Sequence, residues 1–270
     1  ARDGNETPYV YGVAFSPDGT RLASCGWDGT ARIYDAATQR PLLVLRSPPH
    51  VLALAFSPDG SVLATGGMQG VDLWDPATGD RLRTLDCPEA HGLAWSPDGR
   101  RVAASSRWKG EVFDTATGET AFRWASGGLM YERVAWSRDG ALLAHGAKAG
   151  EVVLRDGATG EVVARLPGHR RATVALAFCP RGRTLATAGY YGLVRLWDLE
   201  SGAERLLMKG HVGSTYALAF TPDGARLASG GEDATIRLWG RATGEGRLVL
   251  RRHESDVFAL AVNCSGGARA

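Results

Sequence analysis

Asparagine is almost missing: two residues, Asn5 and Asn263, both near the ends. Lysine is nearly as scarce, with only Lys109, Lys148 and Lys209 in a Lys+Arg total of 31. The basic residues are therefore overwhelmingly arginine, which with 36 glycines reads as GC-rich coding as much as function. The four cysteines, Cys25, Cys87, Cys179 and Cys264, are isolated, with no CxxC pair. That argues against a disulfide framework or a cysteine metal site and favours a reducing, cytoplasmic setting. No apolar run approaches the roughly 18 residues of a membrane-spanning helix; "TVALAF" (173–178) is of strand length. The first eight residues, "ARDGNETP", are polar, without a hydrophobic signal segment or an initial Met. A net charge of +2 is too small to argue for nucleic acid or an anionic membrane.

Catalytic signatures are also lacking. There is no G-x-S-x-G elbow, no phosphate loop and no H-E-x-x-H. His50, His91 and His145 fall in different repeats at different depths, so a shared metal is not expected, and no cofactor is implied. The repeated Asp-Gly pairs lack the extra carboxylates of calcium loops and read as hairpin turns. Arg165, Arg170, Arg171, Arg181 and Arg183 form the one basic cluster. Repeat geometry sends residues 170–171 and 181–183 to opposite faces, against nucleic-acid binding.

What is present is a repeat. An aromatic precedes each S-P-D-G-like turn: Phe15, Phe56, Trp95, Trp136, Phe178 and Phe220, with Val262 in the same frame. The steps are 41, 39, 41, 42, 42 and 42 residues. Each unit offers four short apolar stretches, as in "VALAF", "TLATAG", "LVRLWD" and "RLLM" (174–208). Pro at the second position of "SPDG" suits a type I turn, and Gly supplies the left-handed residue that follows. "ATGD" and "ATGE" join the third and fourth strands in the same manner. Four antiparallel strands, apolar on both faces, must be covered on both faces. That predicts sheets stacked around an axis: an all-β propeller of four-stranded blades at about 9–46, 50–86, 89–125, 130–167, 172–209 and 214–251.

Residues 256–270 begin the unit again, predicting the first strand of a seventh blade after an N-terminal extension, 1–8. The expectation is a fragment of a seven-bladed or larger propeller; a six-bladed ring with a frayed tail is the alternative.

The unit length, "GH" before the first strand (168–169 and 210–211) and "LWD" ending the third (73–75 and 196–198) resemble the WD-repeat propellers. The resemblance runs from about Tyr9 to Val262. It implies a polar chain from the His of "GH" through a strand-b Ser or Thr and a turn Asp to the strand-c Trp. His211, Ser229, Asp233 and Trp239 match it fully; His169, Thr187 and Trp197 match without the Asp, where Tyr191 stands. Blade one has Ser24 and Asp28 but Tyr34 for Trp, and blade four has His145 and Arg155 in the Ser and Trp places.

Lettering the strands a to d, the d–a and b–c connections share one face, the top. Its b–c turns carry Trp27, Met68, Trp108, Lys148, Tyr190 and Glu232; the d–a connections add Tyr9, His50, Glu89, Met130, Ala172, Ser214 and Asp256. Turn positions favour small polar residues, and Trp and Tyr are enriched in binding hot spots. The expected function is a non-catalytic scaffold binding a protein or peptide segment on the top face through Trp27, Trp108 and Tyr190, as a module of a larger regulatory protein with possible fused domains. A propeller enzyme and a purely architectural ring-former remain the alternatives.

Overall fold

The computed structural model describes residues 9–47, 49–126, 128 and 133–263. Six four-stranded antiparallel sheets follow one another, each in the order a-b-c-d. Blade one is Val10–Phe15, Arg21–Gly26, Thr30–Asp35 and Pro41–Arg46; blade two is Val51–Phe56, Leu63–Gly67, Gly70–Trp74 and Arg81–Leu85. Blade three is Gly92–Trp95, Arg101–Ser105, Lys109–Asp114 and Thr120–Ala125; blade four is Val134–Trp136, Leu142–Gly146, Val152–Asp156 and Val162–Leu166. Blade five is Thr173–Phe178, Thr184–Gly189, Leu193–Asp198 and Glu204–Lys209; blade six is Thr215–Phe220, Arg226–Gly231, Ile236–Gly240 and Gly246–Leu250.

The turn chemistry repeats because the sequence repeats. In blade two Ser57 Oγ donates to Asp59 (2.6 Å), and Asp59 accepts the Ser61 N–H (3.1 Å). Ser57 Oγ also accepts the Val62 N–H (3.0 Å), and Gly60 takes the left-handed φ of +73°. These donors hold the Asp59 carboxyl down at about 2. At the c–d turn the aspartate of "LWD" works locally: Asp75 Oδ1 accepts the Ala77 N–H (2.7 Å) and Asp75 O the Gly79 N–H (2.8 Å).

Packing consecutive sheets face to face produces five apolar clusters, each shared by two consecutive blades. Trp95 Nε1 donates to Ala55 O (3.0 Å) and ties blade three to blade two. Among the described residues no such cluster joins blade six to blade one. The outer-strand residues Leu45, Leu85, Trp124, Leu166 and Met208 are all at most 5% exposed, whereas Leu250, their equivalent in blade six, is 42% exposed.

The expected opening strand of a seventh blade is not formed: residues 256–263 have no strand character. A strand is fixed by a neighbour's backbone groups, and no strand b lies beside this segment among the described residues. Val257 N–H bonds Gly231 O (3.0 Å), and Asn263 Nδ2 reaches Gly19 O (3.5 Å) in blade one. The fold described is six complete blades, with 256–263 threading the seam between the last and the first. The extension at 1–8 and the tail at 264–270 lie outside the described residues.

Two b–c turns, Lys148–Gly150 and Tyr190–Gly192, are single 3₁₀ turns rather than plain hairpin turns. Each holds a non-glycine at positive φ, Ala149 at 59° and Tyr191 at 71°. No helix among the described residues is long and apolar enough to cross a membrane.

Candidate functional site

The b–c turns put side chains on one face because each follows a buried strand b and precedes a buried strand c, leaving only the turn outside. Trp108 is 64% exposed, with the Arg107 guanidinium 4.8 Å from its ring centroid. Trp27 is 43% exposed and stacks on His50, centroids 3.7 Å apart and planes 17° from parallel. His50 Nδ1 lies 2.7 Å from Trp27 O; a carbonyl only accepts, so Nδ1 carries the proton. Met68 and Lys148 are exposed, as is Glu232, whose Oε2 accepts the Ser214 N–H (2.7 Å). Tyr9 is exposed and lies 6.4 Å from Tyr11, centroid to centroid. Tyr190 is half-buried; its neighbour Tyr191, 60% exposed, carries the aromatic surface of that turn. Met130 lies outside the described residues.

These residues do not converge on one point. Trp27, His50 and Tyr9 form one group over blades one and two, while Trp108 stands over blade three and the tyrosine pair over blade five. Three aromatics missing from the expected set complete the first group. Tyr11 lies 5.9 Å from Trp27 and 5.5 Å from Phe258, which lies 4.9 Å from Tyr216. The sequence carries a signal for them: all three stand four residues before the marker positions Phe15, Phe220 and Val262.

Beneath the turns lie the polar residues. His211 Nε2 is 2.7 Å from Ser229 Oγ and its Nδ1 2.9 Å from Asp233 Oδ1, and Trp239 Nε1 donates to Ser229 Oγ (2.8 Å). Burial outweighs the carboxylate and lowers the His211 pKa. In blade five Trp197 Nε1 donates to Thr187 Oγ1 (2.9 Å), which lies 3.0 Å from His169 Nε2. With Tyr191 in the Asp place, His169 Nδ1 has no hydrogen-bond partner among the described residues. Among the described residues Asp28 of blade one bonds only within its own hairpin, accepting from Thr30 Oγ1 (2.7 Å) and Arg32 (2.9 Å).

Blade four replaces the pattern with another. His145 Nδ1 donates to Gly146 O (2.6 Å), which leaves Nε2 to accept from Arg155 Nε (3.0 Å). Trp124 stacks on His145 at 4.7 Å, and the Arg155 guanidinium lies 5.5 Å from the same indole. Burial pushes His145, His169 and His91 down to about 4, Arg133 adding to it at His91.

A cleft of about 830 Å³ opens on the opposite face between blades two and three. Its carboxylates Asp59, Asp98 and Asp114 bond within their own turns, and a similar gap recurs between blades four and five. It is the spacing of adjacent a–b turns rather than a set of converging groups. Among the described residues no group of three or more His, Cys, Asp or Glu is placed to hold a metal ion.

The family pattern described as WD domain, G-beta repeat matches residues 2–35, 39–72, 160–198 and 203–240, a little over half of the chain. The chain belongs to the WD40-repeat family. Members of this family are generally non-catalytic scaffolds for protein–protein interaction. The longest unmatched stretch, 73–159, is where the WD40 signature is weakest: it holds blade three and the His145–Arg155 pair of blade four. No curated protein matches the chain.

Proposed function

We propose that this WD40 propeller is a non-catalytic scaffold that binds a peptide or protein segment across its top face, anchored by Trp27, Trp108 and the Tyr190–Tyr191 pair. The observation that carries this reading is the exposure of Trp108 (64%), Tyr191 (60%) and Trp27 (43%) at b–c turns of one face. Such aromatics expose area that costs free energy in water and repays it on contact, roughly 25 cal/mol per Å² of apolar surface. Their separation over blades one, three and five suits an extended segment rather than a small molecule.

Random dodecapeptides displayed on phage, selected on the immobilised protein, supply the test ligands. The Trp27→Ala/Trp108→Ala/Tyr190→Ala variant should keep its melting temperature within a few degrees and bind the selected peptides at least about 30-fold more weakly, the loss of one strong hot spot. Unchanged affinity with an intact fold removes the top face as the binding surface.

A further inference from the structure

The repeat that builds the blades also fills gaps between them, and in one gap the filling is missing. Six residues after the marker aromatic stand Arg21 in blade one, Val62 in blade two, Arg101 in blade three and Leu142 in blade four. Both arginines cross to the c–d turn of the following blade. Arg21 donates to Pro76 O, and Arg101 Nη1 to Gly157 O (2.9 Å) and Ala158 O (3.0 Å). Where the place is apolar, a gap is open. Val62 lines the cleft of about 830 Å³ between blades two and three, and Leu142 lines one of about 460 Å³ between blades four and five. The turns register the difference: Pro76 and Gly157 are buried, whereas their counterparts Thr115 and Leu199 are half-buried. Thr115 O accepts no hydrogen bond among the described residues. Arg83, from the outer strand of blade two, reaches only the next two carbonyls, Ala116 O (3.0 Å) and Thr117 O (2.8 Å).

The empty place in the two–three cleft keeps the surroundings of an arginine. Val62, Leu73 and Trp95 give it an apolar floor on which an aliphatic stem can lie, with Leu82 exposed beside it. Asp59, Asp98 and Asp114 line it against Arg83 and Arg100, an excess of one carboxylate. None of the three carboxylates is in an ion pair among the described residues. The hydrogen bonds of their own turns lower all three carboxyls and keep them charged. The four–five gap has the opposite balance, Asp139 against Arg138 and Arg183. A guanidinium is always charged and presents a planar fork of donors, so it can serve a carbonyl and the carboxylates around it together.

We propose that the cleft between blades two and three receives an arginine side chain from a partner protein, which donates to Thr115 O as Arg101 donates to Gly157 O, with an apolar neighbour of that arginine resting on Leu82. N-acetyl-leucyl-arginine amide and its citrulline, lysine and glutamate counterparts are titrated while NMR follows the methyl groups of Val62 and Leu82 and the indole N–H of Trp95. The arginine ligand should give saturable shifts at all three residues, about tenfold tighter than its neutral citrulline isostere and tighter than lysine. The Leu142 methyl groups in the four–five gap should not move. Val62→Arg should abolish the response at Leu82 and Trp95, because the chain then supplies the guanidinium itself, as it does one blade on. Should that variant not fold, Asp59→Asn/Asp98→Asn/Asp114→Asn should bring the arginine and citrulline ligands to equal affinity. Equal binding of citrulline or lysine by the native protein, a preference for glutamate, shifts at Leu142 as large as those at Val62, or no response overturns the proposal. So does a full response in a folded Val62→Arg protein, or an arginine preference that survives the triple substitution. A ligand held here touches the a–b turns of Asp59 and Asp98, which a top-face ligand does not, so the two readings fail separately.

Discussion

His91, His145 and His169 hold a definite pH behaviour for the whole chain. Each is buried and titrates near 4 in the fold against 6.5 when free, so the unfolded chain takes up a proton first. Their contribution to stability is complete above about pH 6.5 and is lost as the pH falls toward 4. By pH 5 each should have cost on the order of 1–2 kcal/mol. Asp59 and Asp233, held at about 2, matter only below the ordinary carboxylate range. The melting temperature should therefore drop between pH 7 and pH 5, and less steeply in a His91→Gln/His145→Gln/His169→Gln variant; equal slopes would show that the imidazoles are not the cause. The in-register residues of blade six could be read directly from the repeat. The blade-four exchange was legible as a departure, but not as a pair: nothing in the spacing says that Arg155 lends its proton to His145 and stacks over Trp124 from the neighbouring blade.

At the scale of the strand and turn, the SPDG and ATGD signals place their hairpins because their chemistry is local. Serine, aspartate and glycine within five residues satisfy one another whatever surrounds them. The b–c turns resist such reading where Ala149 and Tyr191 take backbone conformations that the sequence would assign to glycine. A bulky side chain in the left-handed region costs roughly 1–2 kcal/mol. At Tyr191 that strain is spent on a side chain left 60% in solvent. Tyr191→Gly should thus raise stability by about 1 kcal/mol in urea denaturation while weakening peptide binding. A destabilised variant would show that the tyrosine is held for packing. The expected strand at 256–263 failed for the complementary reason: its apolar pattern copies strand a, but a strand needs a partner, and pattern alone does not provide one.

For the molecule as a whole, stability is built between blades, so equivalent positions differ in worth according to what lies beside them. Leu166→Ala opens a cavity in the four–five cluster and should cost about 2–4 kcal/mol, whereas Leu250→Ala, at a side chain 42% exposed among the described residues, should cost less than about 1 kcal/mol. Six blades were countable from the markers because the period survives even where the signature residues do not. The grouping of Tyr11, Tyr216 and Phe258 was harder to see, since they become neighbours only when the ring brings its first and last segments together. The common strand direction of the blades gathers the turn aromatics on one face, and the scaffold reading depends on it. Hydrogen–deuterium exchange with and without a phage-selected peptide tests this most directly. Protection should appear in the b–c turns around Trp27, Trp108, Tyr190 and Glu232, while the a–b turns around Asp59 and Asp98 stay unchanged; protection confined to the a–b turns would contradict the account.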